Sequence, residues 1–185
     1  EEGEIITISE NEAKAELAAF GLVVPIGKTA ATADEAADAA QALGFPVVLK
    51  GLGVAHKTEA GAVKLNLGDR QSVLDAADAM RSVASGYLVE KMIAKPVAEI
   101  IVGALRDPVA GLVLTIGAGG ILVELLEDSA ILTLPTTPEA ISEAISGLKI
   151  RKLLDGYRGS AKGDIPALIT AVAAVASYVA ANASK

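Results

Sequence analysis

The stretch PVVLKGLGVAHKTEAG, residues 46–61, joins a short apolar run to a glycine-containing loop with the chain's single histidine, His56. The apolar run contains β-branched residues and carries no charge before Lys50, which is typical of a strand covered on both faces. After the loop the chain returns as AVKLNL, residues 62–67, in which apolar and polar side chains alternate. The pattern therefore predicts two strands joined by a glycine-containing loop.

The loop between these strands is a candidate anion site. Lys50 ends the first strand, and Gly51, Gly53 and Gly61 follow it, so that backbone N–H groups and an ammonium group could converge on a phosphate. The alternative is a hairpin whose glycines satisfy turn geometry and whose lysine is only solvated. No Walker pattern is present, and GAGG, residues 117–120, is typical of a tight turn rather than of a dinucleotide-binding loop.

His56 is open to two interpretations. A lone histidine is more often a structural residue than a catalytic one. A neutral imidazole can, however, be phosphorylated on nitrogen, and a loop shaped to hold phosphates would place such an acceptor beside them. The residues alone leave both interpretations open.

Helix signals flank the two strands. Pairs of capping residues three positions apart predict that helices begin at Ser9 with Glu12 and at Thr32 with Glu35. A third helix is predicted in RQSVLDAADAMRSV, residues 70–83, where Ser72 and Asp75 are again three apart. The segment GYLVEKMI, residues 86–93, resumes strand character, and we place the end of a first lobe near residue 88.

The second half of the chain begins with a predicted hairpin. Two apolar strands meet at the turn signal Arg106-Asp107-Pro108, and a helix follows from Thr137, with Pro138 in its first turn. The last helix starts at about Pro166, and no residue between Asp164 and Lys185 is charged. Its larger apolar side chains share one helical face, which favours a core-packed helix over a membrane span: Leu168, Val172, Val175 and Val179.

Composition narrows the class of protein. The chain has 185 residues, of which 52% are hydrophobic, enough for one domain or two small lobes. With 16 basic and 23 acidic residues the net charge is -7, and no basic stripe favours nucleic acid as a partner. The absence of cysteine excludes disulfides and fits a reducing cytoplasm. The first residues lack the features of a signal peptide and start at Glu1, so we interpret the sequence as a piece of a longer chain.

The order of seven segments resembles the ATP-grasp domain of NDP-forming (ADP-forming) acyl-CoA synthetases, a family similar to the β subunit of succinyl-CoA synthetase. These segments are EAKAELAAFGLVVP, GFPVVLK, HKTEAGAV, YLVEKMI, AEIIVGALRDPVAG, TIGAGGILVELLEDSA and LLDGYRG. The resemblance implies an α+β ATP-grasp fold with two α/β lobes, residues 1–88 and 89–185, and a nucleotide cleft between them. It also implies the reaction ATP + carboxylate + CoA = ADP + phosphate + acyl-CoA.

The resemblance also assigns roles to single residues. Lys50 would bind the nucleotide phosphates, and the loop with His56, Lys57 and Thr58 would cover them. The histidine of such synthetases relays phosphate between the nucleotide and a histidine on the CoA-ligase part. The remaining nucleotide-binding positions are Glu90 and Ile93 at the adenine and Glu99 near the ribose and phosphates. We expect Lys50 and Glu99 to face one cleft.

Two departures from the family pattern affect these expectations. Gly61 is followed by Ala62 where the family usually has a second glycine, and the segment from Lys50 to His56 is short. Family members continue into a strand with a Glu-x-Asn-Pro motif and a later Asp, which supply Mg²⁺ ligands. We therefore expect the Mg²⁺ ligands beyond residue 185 and a missing C-terminal strand. This chain alone should bind adenine nucleotide weakly or not at all and be catalytically incomplete.

The leading hypothesis is the ATP-grasp portion of a larger ligase, with CoA-binding and CoA-ligase domains or a subunit as its partners. An alternative is a regulatory, nucleotide-sensing module fused to a protein lysine acetyltransferase. A third is a structural domain of an inactive assembly. The presence of Lys50 and His56 favours the enzyme, while the carboxylic acid is left open because its pocket belongs to other segments.

Overall fold

The computed structural model describes residues 7–54, 57, 60–93, 95–120 and 127–183. Their contacts form two compact units. The first unit comprises residues 7–13 and 24–94, and the second comprises residues 14–23 and the described residues from 95 onward. Along the chain the last change from one unit to the other falls between residues 94 and 95. The predicted lobes, residues 1–88 and 89–185, stay a prediction.

The helix α1 (Glu10–Ala19) begins as its capping pair predicts. The backbone N–H of Ser9 donates to Glu12 Oε2 at 2.9 Å, and the backbone N–H of Glu12 donates to Ser9 Oγ at 3.3 Å. None of the residues of α1 is buried. The division into two units falls inside this helix, after Ala13.

The first unit is built on a four-stranded antiparallel sheet in the order β1-β4-β2-β3. Its strands are β1 (Gly27–Ala30), β2 (Val47–Leu52), β3 (Val63–Leu67) and β4 (Gly86–Lys91). Strands β2 and β3 pair with each other, which confirms the prediction from the stretch at residues 46–67.

Two helices pack on one face of this sheet. The helix α2 (Ala33–Leu43) is capped by Thr32, whose hydroxyl accepts from the backbone N–H of Glu35 at 3.2 Å, as predicted. The helix α3 (Arg70–Met80) is capped by Asp69 instead of Ser72, because Asp69 is the last extended residue and Ser72 already lies inside the helix. The helix predicted from Arg70 is therefore confirmed, whereas Ser72 with Asp75 is not the pair that caps it.

Side chains of β2 alternate between the sheet face that packs on α2 and α3 and the opposite face. Val47 and Leu49 are fully buried in the cluster that includes α2 and α3. Because successive side chains of a strand point to opposite faces, Val48 and Lys50 lie on the other face. The strand covered on both faces is confirmed, since Val47, Val48 and Leu49 are all buried.

The second unit contains a three-stranded antiparallel sheet in the order β5-β6-β7. Its strands are β5 (Ile100–Asp107), β6 (Gly111–Ala118) and β7 (Ser129–Thr133). The predicted hairpin joins β5 and β6, and the carboxylate of Asp107 accepts from the backbone N–H groups of Val109 at 2.8 Å and Ala110 at 2.7 Å. These bonds, first that from Ala110 and then that from Val109, lower the pKa of Asp107.

Helices cover one face of this second sheet. They are α4 (Pro138–Gly147), capped by Thr137, the short α5 (Arg151–Leu154) and α6 (Ile165–Ala181). In α6, Val172 is fully buried, and Leu168 and Val175 pack against the same core, which confirms the predicted core-packed helix. Among the described helices, none has the length and apolar character that a membrane span requires.

Candidate functional site

The sheet face opposite α2 and α3 carries a buried ion pair. In the register of β2 and β4, Val48 is paired with Glu90 and Lys50 with Leu88. Lys50 and Glu90 are therefore diagonal neighbours on the same sheet face. The distance from Lys50 Nζ to Glu90 Oε2 is 2.8 Å, and only 3% of Glu90 is exposed. A buried carboxylate beside Lys50 orients the ammonium group.

Glu10, in the first turn of α1, adds a second carboxylate. Its Oε1 lies 2.5 Å from Lys50 Nζ, and its Oε2 lies 2.7 Å from Lys57 Nζ. We call Glu10, Lys50, Lys57 and Glu90 the charge cluster; all four belong to the first unit. In the cluster, two carboxylates balance two ammonium groups.

The environment of Lys50 keeps it charged. Burial by itself lowers the pKa of Lys50, but hydrogen bonds and electrostatic attraction from Glu10 and Glu90 outweigh burial, so that the pKa is raised above its usual value. The lysine is therefore a cation at neutral pH. The interpretation of Lys50 as a merely solvated side chain is wrong, since two carboxylates bind it.

The loop after β2 uses part of its backbone internally. The N–H of Gly51 donates to the carbonyl of Ala62 at 2.8 Å, and the N–H of Ala62 donates to the carbonyl of Lys57 at 2.7 Å. The N–H of Gly51 is thus engaged in the hairpin and does not face an anion, contrary to expectation. Ala62, which stands where the family usually has a second glycine, is fully buried. It lies opposite Gly51: a Cβ atom added to Gly51 would be 3.1 Å from the Cβ atom of Ala62.

A cavity of ≈410 Å³ borders the charge cluster within the first unit. Residues 7–10, residues 52–54 and Lys57 line it. Side chains of Glu10 and Lys57 in its wall are 28% and 22% exposed. A small anion can therefore reach the Lys57 ammonium group through this cavity.

The other predicted site residues are not members of this cluster. His56 and Thr58 lie outside the described residues. Ile93 follows β4 and is 62% exposed. Glu99 precedes β5 in the second unit. A cleft shared by Lys50 and Glu99 stays a prediction, as do the contacts of Glu90 and Ile93 with adenine.

Glycines let the backbone approach Glu99 closely. The N–H of Gly119 donates to the carbonyl of Glu99 at 2.7 Å. Gly120 has a φ of +61°, and a Cβ there would overlap the carboxylate of Glu99. The first residues of the GAGG segment belong to β6, so this segment ends a strand and packs against Glu99.

Glu10 is the site residue that the sequence analysis missed. Its partners Lys50 and Lys57 are 40 and 47 positions away along the chain. The only local signal is an acidic residue in the first helical turn, which indicates stabilisation of the helix dipole and not a site.

Carboxylate groups in the described ranges do not form a metal site. Among these residues, no group of three or more His, Asp or Glu side chains could hold a metal ion. The Mg²⁺ ligands expected beyond residue 185 stay a prediction.

The chain is similar to known ATP-grasp proteins and to CoA synthases and ligases. A family model described as an ATP-grasp domain matches residues 2–184. A trans-feruloyl-CoA synthase from an unknown prokaryotic organism is 37% identical over 188 residues, covering 96% of this chain and 26% of the relative. The β subunit of the ADP-forming acetate–CoA ligase II of Pyrococcus furiosus is 33% identical and covers 92% of this chain, which spans 76% of that subunit.

Two further comparisons extend the match. Over 105 residues, 54% of this chain and 28% of the relative, the chain is 32% identical to the β subunit of an ADP-forming succinate–CoA ligase from Haloarcula marismortui. The structure of the present chain is similar to that of the dinucleotide-forming acetyl-coenzyme A synthetase 1 of Ca. Korarchaeum cryptofilum, in complex with coenzyme A and Ca-AMPCP. The TM-score is 0.85, with 33% identity, covering 95% of this chain and 80% of that one.

The fold and these matches agree. Two antiparallel sheets with six helices in the described residues confirm the predicted α+β class, and the related structure confirms the ATP-grasp fold. The chain spans about a quarter of the length of the trans-feruloyl-CoA synthase. With its match over residues 2–184, the chain belongs to the ATP-grasp domain family, in the branch that resembles ADP-forming acid–CoA ligases.

Proposed function

We propose that this chain is the nucleotide-binding ATP-grasp portion of an ADP-forming acid–CoA ligase. The complete reaction is ATP + carboxylate + CoA = ADP + phosphate + acyl-CoA. The observation that carries the proposal is the charge cluster, because it brings Lys50 of β2 and Lys57 of the following loop together on the carboxylate of Glu10 in an ATP-grasp fold.

The role of each described residue follows from its chemistry. Lys50 and Lys57 supply two cations for the phosphate groups of ATP or ADP. Buried Glu90 orients Lys50 through the contact at 2.8 Å. Phosphoryl transfer depends mainly on positioning and on stabilising the charge of the phosphate oxygens, and both lysines would serve this purpose.

His56 completes the proposal as the residue that carries phosphate. Its imidazole nitrogen would attack the γ-phosphorus of ATP, forming an N–P bond as the bond to the β-phosphate oxygen breaks and ADP leaves. A structure of the Korarchaeum synthetase with coenzyme A and Mg-AMPPCP has a phosphohistidine segment that points towards the nucleotide-binding site. Mg²⁺ would neutralise phosphate charge in the intact enzyme.

The partners of this portion are the CoA-binding and CoA-ligase parts of the same enzyme, and we place the enzyme in the cytoplasm. The relatives described above are ligases and synthases. They favour the ligase over a regulatory module fused to a lysine acetyltransferase, which nothing in the structure supports.

Removing the Lys50 ammonium group tests nucleotide binding. In titration calorimetry with ADP up to millimolar concentration, we expect Lys50→Ala to bind at least about tenfold more weakly than the wild type, a loss of about 1.4 kcal/mol. Lys64→Ala is the matched control, because Lys64 is an exposed lysine on the neighbouring strand β3. Equal affinity of the Lys50→Ala chain and the control would contradict the phosphate role of Lys50.

A further inference from the structure

We propose that Glu10 is a further residue of the anion site: an internal counter-ion that phosphate groups must displace from Lys50 and Lys57. This inference rests on the proposed function, because it concerns the same two lysines. It adds a residue that sets the affinity of the site and that lies on a helix outside the four-stranded sheet.

Glu10 bridges the two cations as a bound anion would. One carboxylate oxygen contacts Lys50 Nζ at 2.5 Å and the other contacts Lys57 Nζ at 2.7 Å. A carboxylate and a phosphate group both offer oxygen acceptors of negative charge to ammonium donors. Glu10 therefore occupies the positions at which phosphate oxygens would bind these lysines.

A purely positioning role for Glu10 is the competing explanation. Lys50, however, already has the buried carboxylate of Glu90 at 2.8 Å on its inner side. The exposed fraction is 4% for the Glu90 side chain and 28% for that of Glu10. Since Glu90 alone can orient Lys50, the more exposed Glu10 is the partner that a ligand can replace.

The first turn of α1 can move without uncovering a core. None of the residues of α1 is buried, so that displacement of Glu10 exposes little apolar surface. The reciprocal bonds of Ser9 and Glu12 keep the turn helical by local contacts alone. Displacement breaks the ion pairs of Glu10 with Lys50 and Lys57, and a bound phosphate would replace both.

The charge balance gives the direction of the effect. With Glu10 present, the cluster contains two carboxylates and two ammonium groups, and an incoming anion must compete with Glu10 for both lysines. With glutamine at position 10, the cluster has one excess positive charge at the same side-chain size. Anion affinity must then rise, whereas a positioning role predicts that it falls.

The test compares the wild type with Glu10→Gln by titration calorimetry at low ionic strength, with pyrophosphate, ADP and adenosine as separate probes. We expect Glu10→Gln to bind pyrophosphate about tenfold more tightly, and adenosine with unchanged affinity. Glu143→Gln is the matched control: it removes one exposed carboxylate from α4 and alters net charge equally. Circular dichroism verifies that each variant is folded.

Each outcome separates the inference from the proposed function. Tighter pyrophosphate binding by Glu10→Gln without any ADP binding would support the inference but not the nucleotide function. In a second outcome, Lys50→Ala weakens ADP binding, and Glu10→Gln binds ADP no more tightly than the wild type. This result would support the proposed function and overturn the inference. Absence of pyrophosphate binding by folded Glu10→Gln would also overturn it, as would an equal gain in Glu143→Gln.

Discussion

At the scale of single residues, Asp128 shows how a buried carboxylate can be structural. It is 8% exposed, and its two oxygens accept from the backbone N–H groups of Lys149 and Ile150, each at 2.7 Å. These donors precede α5, so the carboxylate fixes the connection from α4 to α5. The backbone carbonyl of Asp128 also lies 2.5 Å from where a Cβ of Gly117 would be.

Removing this carboxylate should destabilise the protein. We expect Asp128→Ala to lower the free energy of unfolding by about 2–5 kcal/mol, because a buried donor of Ile150 and a partly buried donor of Lys149 lose their acceptors. Asp128→Asn should cost about 1–3 kcal/mol, since its amide has only one acceptor oxygen. Urea unfolding measures both values. Asp155→Asn is the control, because the carboxylate of Asp155 is exposed and accepts from Arg151 at the surface. A cost for Asp128→Ala as small as that of the control would contradict the structural role.

At the scale of elements, the start of α3 distinguishes two possible caps. The carboxylate of Asp69 accepts from the backbone N–H of Ser72 at 2.8 Å, and the hydroxyl of Ser72 accepts from the N–H of Asp69 at 3.3 Å. Asp75 instead accepts from the side chain of Gln71 on the exposed surface. The helix then buries Val73 and later residues against the sheet, so that its N-terminal cap supports part of the core.

We therefore expect unequal effects of two alanine substitutions in this helix. Asp69→Ala should lower the free energy of unfolding by about 1 kcal/mol, as is usual for loss of an N-cap. Asp75→Ala should change it by less than about 0.5 kcal/mol, as an exposed position does. Thermal and urea unfolding of the two variants compare them directly. A larger loss for Asp75→Ala would favour the cap predicted from the sequence over that in the structure.

At the scale of the whole molecule, the proposed phosphate relay needs the complete ligase. With ATP and Mg²⁺, we expect the intact protein to acquire an acid-labile phosphate on His56, and His56→Asn to abolish turnover in both directions. Asparagine retains a polar side chain but cannot form the N–P bond. Phosphate analysis by mass spectrometry and assays in both directions measure this. Full turnover by folded His56→Asn enzyme would exclude the relay and leave His56 as a cover over the nucleotide.

Local patterns in the sequence were sufficient for most of the elements. The run before Lys50 predicted a strand buried on both faces, and Thr32 with Glu35 predicted the cap of α2, since both signals act over a few neighbouring residues. The apolar face of the last helix likewise indicated a core helix. The motif order also predicted the ATP-grasp family, which the comparisons confirm.

Only the tertiary structure decided the composition of the charge cluster. Contacts between Glu10 and Lys50 span 40 positions, and nothing in the local pattern distinguishes Glu10 from any acidic residue of a first helical turn. The partnership of Lys50 and Glu90 depends on which strands are neighbours and in what register. Sequence periodicity determines which face a side chain takes, but sheet order and helix placement determine which charges meet there, because those depend on packing across distant segments.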